Sequence, residues 1–342
     1  LGLFYSAATQ AIKLKPCEEE YILMGMSGWG KDKHWKQLEE DLFKTDELLK
    51  LKYNLHKGLG SYMDDWEQFD VAASTQTLTE HILDRIVKYV HKVLPNVENL
   101  VYMGGCALNC VANGKILPQY YDNIWIMPNP GDAGSSLGAA AALYGKHIKW
   151  EGPFLGNEIK GKYPVKKALK HLLKGEIIGI ANGKAEFGPR ALGNRSLLAD
   201  PRGTKIKDKV NEIKRRQKFR PFAPAVMEEY AHEIFEMPVD RVPYMQYTAV
   251  CKYPDKYPAI CHVDNTSRVQ TVSKKDNPSR VQTVSKKDNP GFYALLKEFY
   301  KKTGCPMLLN TSLNIKGQPI VDNEQHAAEF EKHYNVKVIT HE

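Results

Sequence analysis

Gly183-Lys184-Ala185-Glu186-Phe187-Gly188-Pro189-Arg190-Ala191-Leu192-Gly193-Asn194-Arg195-Ser196 is the stretch on which the reading of this chain turns. It follows the short apolar run Ile177-Ile178-Gly179-Ile180-Ala181, which reads as a buried strand. Glycines, a proline, the carboxylate of Glu186 and the guanidinium groups of Arg190 and Arg195 make a poor packed element and a good anion site. Glycine lets backbone N–H groups approach a ligand closely, and arginine offers planar, paired donors that match phosphate oxygens. The plainer alternative is a strand-to-helix turn carrying a solvated charge cluster.

Outward from that stretch, the charge is concentrated. The chain of 342 residues has a net charge of +8, and Lys205, Lys207, Lys209, Lys214, Arg215, Arg216, Lys218 and Arg220 face only Asp208 and Glu212 within the same segment. Such a run is a solvated helix face, a nucleic-acid patch or the wall of a phosphate pocket. The length suits two domains. The six cysteines are scattered, and no second Cys/His pair completes a zinc set near Cys106 and Cys110. They read as buried thiols of a reducing compartment. With no signal-peptide pattern and no apolar run of spanning length, a cytoplasmic location and no membrane contact are expected.

The N-terminal half begins mid-pattern. Leu1 to Ala8 reads as a helix, Met24 to Gly30 as a glycine-punctuated loop, Glu80 to Leu94 as an amphipathic helix and Asn99 to Met103 as a buried strand. Gly104-Gly105-Cys106-Ala107-Leu108-Asn109-Cys110 is then a glycine turn opening a helix, whose N-terminus is free to face a phosphate or ribose. A second such unit follows, with strand Ile124–Met127, loop Pro130 to Ser136 and helix Leu137 to Tyr144. Asp132 sits in that loop, placed either for a metal or ligand hydroxyl or as a helix cap.

Residues 146–164 show no periodicity and read as the connector between domains. The second domain alternates helices near 165–174, 206–216, 292–303 and 324–333 with strands at 177–181, 246–252, 306–309 and 336–340, a mixed α/β pattern. Ser267 to Pro278 recurs without change as Ser279 to Pro290. This is a local duplication rather than a solenoid, which needs several longer repeats.

Taken in order, these motifs resemble the NodU/CmcH family of carbamoyltransferases across essentially the whole chain. The resemblance rests on Met24-Gly25, Gly104 to Cys110, Pro130-Gly131-Asp132-Ala133-Gly134 and Glu186 to Ser196. It continues through Lys214 to Pro224, His262-Val263-Asp264 with Arg268 to Val272, and Leu309-Asn310-Thr311-Ser312-Leu313-Asn314 with Pro319-Ile320-Val321. It implies part of an actin/hexokinase-like ATPase domain over 1–148, a linker over 149–164 and a YrdC-like α/β domain over 165–342.

The activity implied has two steps. ATP and carbamoyl phosphate give carbamoyl adenylate and pyrophosphate in the C-terminal domain, and the carbamoyl group then passes to a hydroxyl of a sugar-like or antibiotic-like small molecule. Two anionic substrates meeting must be screened by cations. By motif match, Arg190, Lys214, Arg220 and Arg268 fall to the phosphate pocket, with Asn310 and Ser312 as polar donors. Glu186, Asn194 and Arg195 shape the loop, and Gly104, Gly105 and Asn109 cradle a nucleotide. ATP implies Mg2+. Asp132 matches a metal-ligand aspartate, and the family's transition metal, iron in some members, implies two further histidines upstream of Leu1.

Two departures are mild: Gln217 stands for the usual Glu and Leu313 for the usual Phe. The duplication leaves Arg268 and Arg280 as alternatives. His34, His56, His81 and His91 read as isolated surface residues, and Trp29, Trp35 and Trp66 either stack on an acceptor or belong to the core. The competing readings are an RNA-binding or tRNA-modification-related protein, disfavoured by the few aromatics in the basic run, and a fragment that needs a partner carrying the further histidines. A homodimer is left open.

Overall fold

The structure is a computed structural model that describes residues 1–44, 48–273 and 289–342. Contacts divide the chain into two units, Leu1–Ile126 and Met127–Glu342. Arg280 and most of the second repeat copy lie outside the described residues.

The first unit is built on one long helix. Helices α1 Gly2–Ala11, α2 Glu20–Met26, α3 Trp35–Leu42 and α5 Cys110–Ile116 pack against α4, Gln68–Val93. Strands β1 Asn99–Val101 and β2 Asn123–Trp125 pair in parallel. The Glu67 carboxylate starts α4 by accepting from the N–H groups of Phe69 and Asp70 at 2.8 and 3.1 Å, which satisfies donors that the helix itself leaves open.

The helix begins well before the expected Glu80. Its first turns bury Val71 and Leu78 among the small or polar residues Ala72, Ser74, Thr75, Gln76 and Thr79, a sparse apolar stripe. Met24–Met26, expected in a loop, is the last turn of α2. The strand at Asn99–Val101 forms as expected but is not buried: Val101 is 68% exposed. The cysteines also depart from expectation, since Cys17 is exposed and Cys106 half-buried, while the other four are buried and all six are free thiols.

The second unit centres on a six-stranded mixed sheet in the order β11-β7-β12-β6-β4-β13. Its elements in chain order are α6 Ser135–Tyr144, β3 Phe154–Ile159, α7 Val165–Leu172, β4 Ile178–Ala181, β5 Gly183–Glu186, β6 Arg195–Ala199 and α8 Ile206–Ile213. There follow β7 Ala223–Met227, α9 Glu228–Ile234, β8 Phe235–Glu236, β9 Thr248–Cys251, β10 Thr266–Arg268, β11 Gln270–Val272, α10 Pro290–Thr303, β12 Met307–Ser312, α11 Glu324–Tyr334 and β13 Val338–Ile339.

Interior strands β4, β6 and β7 are buried along their whole length, as strands covered on both faces must be. A cluster including Ile178, Ile180, Leu198, Val226, Phe292, Leu296, Phe299 and Leu308 forms the main core, with α7, α9 and α10 packed on the sheet. A second cluster around Ala181, Leu197, Leu313, Phe330 and Val338 involves α11. Strands β10, β9 and β8 form a separate antiparallel sheet, and β3 pairs with β5.

The signature stretch therefore joins a strand to a strand, not a strand to a helix: β5 leads in and β6 leads out. The stretch read as an unpatterned connector carries β3, which pairs with β5. Strand β7 was hidden by its prolines, with Pro221 just before it and Pro224 within it. The repeat is divided between two tasks: its first copy supplies β10 and β11, and the end of its second copy caps α10. There Asn289 Oδ1 accepts from Phe292 N–H at 2.9 Å, with Pro290 at the first helical position.

One glycine fixes the loop against this core. Gly193 has φ +114°, and a Cβ there would lie 2.4 Å from the Phe292 ring. Its carbonyl accepts from the Tyr163 hydroxyl at 2.9 Å. Gly193→Ala should lower stability by roughly 2–4 kcal/mol, combining backbone strain with overpacking. A urea midpoint unchanged from wild type would contradict the placement.

Candidate functional site

The loop between β5 and β6 is held from inside by two charged groups. Glu186 Oε1 accepts from the backbone N–H groups of Leu192, Asn194 and Arg195 at 2.8, 2.8 and 3.2 Å. Burial pushes its carboxyl above the ordinary range, although these three donors pull the other way. The Arg195 side chain is fully buried. Its Nη1 donates to the carbonyls of Asn182, Gly183 and Asn194, and its Nη2 to those of Asn157 and Asp322, all at 2.9–3.2 Å.

The N–H groups expected to cradle an anion are thus taken by Glu186, and the Arg195 guanidinium is taken by the backbone. Both residues shape the loop. Asn194 does the same, donating to the Lys184 carbonyl at 2.7 Å and accepting from Asn289.

The loop then docks on β12. Asn310 Nδ2 donates to the Ala191 carbonyl at 2.9 Å and to Gln270 Oε1 at 2.8 Å, while Gln270 Nε2 donates to the Leu192 carbonyl at 3.4 Å. Gly193 N–H donates to Ser196 Oγ at 3.0 Å, and Ser196 lies opposite Ser312 in the β6–β12 register. Asn310 and Ser312, two apart on one strand, share a sheet face.

Beside Ser312 lies the buried ammonium of Lys214, only 4% exposed. Its Nζ donates to Ser312 O at 2.5 Å, Ser312 Oγ at 3.2 Å, Asn314 O at 2.8 Å and Asn314 Oδ1 at 2.9 Å. Every acceptor is neutral. Burial, and then the nearby charges of Arg216 and Arg220, hold the Lys214 pKa well below that of an ordinary lysine. Arg216 lies over the Phe222 ring at 4.3 Å and donates through Nε to Asn211 Oδ1 at 2.7 Å. A buried amine beside two guanidinium groups makes this corner of the unit electropositive, while the four neutral oxygens around Nζ already take its hydrogens.

The structure thus brings together Glu186, Asn194, Arg195, Asn310, Ser312, Lys214 and Arg220. Arg190 lies on the same loop and is half-buried. Arg268 lies at the end of β10, opposite Thr248 in the smaller sheet and two residues before Gln270. Asn310 differs from its expected role, because its donors are already used by protein.

In the first unit, Gly104 and Gly105 are exposed, and open space surrounds the position of a Cβ at each. Gly104 at φ +100° starts the turn. Asn109 caps α5 through Ala112 N–H at 3.0 Å and exchanges amide hydrogen bonds with Gln76, so its side chain is committed to protein.

Asp132, in the second unit, is exposed at the start of a short 3-10 turn and makes no side-chain cap bond there. Among the described residues no group of three His, Cys, Asp or Glu side chains is placed to hold a metal. The residues present therefore do not fit a resident metal around Asp132. His56 and His81 are exposed as expected, but His34 and His91 are half-buried. His34 stacks on Trp66 at 4.0 Å and His81 on Trp35 at 4.3 Å, while Trp29 is 48% exposed.

Sequence reasoning missed Gln270 and Asn314. Both lie inside quoted motifs, but as uncharged amides they gave no electrostatic signal. Their spacing to Arg268 and Ser312 was the available clue.

Residues 1–141 match the family description Carbamoyltransferase N-terminus, and residues 169–279 and 275–342 match Carbamoyltransferase C-terminus. The C-terminal match breaks at the junction of the two repeat copies. An uncharacterized Synechocystis protein, sll1178, is 33% identical over 96% of this chain and 63% of its own length. Nodulation protein NolO of Bradyrhizobium diazoefficiens is 33% identical over 96% of this chain and 65% of its own. Nodulation protein U of Sinorhizobium fredii is 33% identical over 76% of this chain and 48% of its own. The chain thus spans less than two thirds of these relatives' length.

The depressed pKa of Lys214 has a sign that can be measured. Between that depressed value and the ordinary lysine value of 10.5, the free protein leaves this amine neutral. A bound anion favours the ammonium, so binding takes up a proton and anion affinity falls as pH rises. Titration calorimetry with inorganic phosphate in two buffers of different ionisation enthalpy should show net proton uptake on binding. Lys214→Met should abolish it.

Proposed function

The chain belongs to the carbamoyltransferase family, and on that premise we propose that its second unit activates carbamoyl phosphate with ATP for transfer to a hydroxyl of a small molecule. The observation that carries this reading is the buried Lys214 ammonium on Ser312 and Asn314, with Arg216 and Arg220 close by and only neutral acceptors around it. Carbamoyl phosphate and ATP are both anionic, and cations held in place before they arrive lower the cost of bringing them together.

Water first cleaves the phosphoryl group of carbamoyl phosphate as orthophosphate and frees a carbamate; a carbamate oxygen then bonds to the α-phosphorus of ATP, and pyrophosphate leaves. Lys214, Arg220 and Arg190 receive the phosphate charge, and Ser312 lines the same pocket. Glu186 and Arg195 keep the loop rigid so that Arg190 is presented from a fixed backbone. Arg268 belongs to this proposal only as a residue entering from the neighbouring sheet.

Mg2+ would accompany ATP. The transfer step, with Gly104, Gly105 and Asn109 at a nucleotide and Asp132 at a metal, stays an expectation of the family, as do the YrdC-like and actin-like assignments and a cytoplasmic setting. No helix among the described residues is long and apolar enough to cross a membrane.

Incubation with ATP, carbamoyl phosphate and labelled pyrophosphate tests the proposal. Label should enter ATP only when carbamoyl phosphate is present, and Arg190→Ala should reduce exchange by at least about a hundredfold. Exchange that survives in Arg190→Ala would remove that residue from the pocket, and no exchange in the wild-type chain would sink the adenylation step.

A further inference from the structure

Asn310 is 1% exposed, and its Oδ1 has no hydrogen-bond partner among the described residues. The orientation of the amide is set by its surroundings. The Ala191 carbonyl cannot donate, so the group facing it must be the Nδ2 of Asn310. The Leu192 carbonyl likewise fixes Gln270 with Nε2 toward it, which turns Gln270 Oε1 to the second hydrogen of Asn310 Nδ2. Two backbone carbonyls of one loop thus lock two amides in series. What remains is a single acceptor, sealed from water, whose unmet hydrogen bond carries a real cost.

The position of that acceptor says what it is for. Ser312 lies two residues along the same face, about 7 Å on at the rise of a strand, and carries the Lys214 ammonium. Gln270 and Leu192, the partners on this side of the Asn310 amide, also line a small cleft with Phe154, Tyr244 and Asn289. A ligand with its anionic end at Lys214 and its other end at Asn310 needs an N–H donor there.

We propose that Asn310 Oδ1 accepts from the carbamoyl N–H of the substrate and selects it over acyl phosphates that lack that donor, with Gln270 as the positioning residue that fixes its polarity. This rests on the reading of the site given above. Acetyl phosphate puts a methyl group where carbamoyl phosphate has NH2, so binding it would leave the buried acceptor unmet.

The test is the ratio of dissociation constants for acetyl phosphate and carbamoyl phosphate, measured by calorimetry with inorganic phosphate as a control. The wild-type chain should prefer carbamoyl phosphate by on the order of tenfold to a hundredfold. Asn310→Leu should bring the ratio to about one while phosphate affinity stays within about twofold. Gln270→Met should narrow the ratio, and Gln270→Glu, which keeps an oxygen facing Asn310 Nδ2, should restore it.

An Asn310→Leu variant that melts like wild type yet keeps the ratio overturns the proposal and means that water fills the acceptor. If that variant does not fold, an equal ratio in Gln270→Met and wild type overturns it instead. Equal wild-type binding of both esters sinks the Asn310 assignment but leaves the anion site standing. Binding of neither ester sinks the reading of the site itself.

Discussion

The second unit depends on a guanidinium that meets no water. Arg195 donates to carbonyls from residues 157, 182, 183, 194 and 322, so one side chain ties β3, the end of β4, the start of β5, its own strand and the segment before α11. Burying such a charge is costly unless its donors are used. Here five backbone carbonyls accept from Nη1 and Nη2, the charges of Glu186 and Asp322 favour the cation, and Nε has no hydrogen-bond partner among the described residues. A planar fork suits this task and an ammonium would not, because the carbonyls approach from fixed directions.

This arrangement separates two roles that arginine and backbone amides often combine. The loop spends its own N–H groups on Glu186 and its carbonyls on Asn310 and Gln270. Little of the loop backbone is left for ligand. In the proposed reading, ligand contacts fall instead to side chains such as Arg190 and Lys214, so that rigidity and binding would rest on different atoms.

Much of this was legible in the sequence. Helices α7, α8, α10 and α11 and strands β4, β9 and β12 follow from periodicity close to where they lie, and Lys214 and Ser312, quoted from separate motifs, are in hydrogen-bond contact. What was illegible has physical reasons. Strand β7 contains Pro224, a residue that argues against an interior strand. The first three turns of α4 bury only Val71 and Leu78 as large apolar residues, among alanine, serine, threonine and glutamine, so hydrophobic spacing is sparse there. The division of labour between Arg190 and Arg195 cannot be seen either, because both are arginines in one loop and only contacts to distant carbonyls tell scaffold from binder. Arg268 was placed by motif match, and the motif did not show that its strand pairs within the smaller sheet.

The divided repeat has an evolutionary consequence. Because the first copy supplies a strand pair and the last residues of the second copy supply a helix cap, both ends of the duplicated segment meet the flanking chain through sequence that was already compatible with it. A tandem duplication differs here from an insertion of foreign sequence: neither junction introduces a residue the local structure has not already accepted. Neither copy is wholly free to diverge, since the first must keep the residues of its strand pair and the second those of the helix cap.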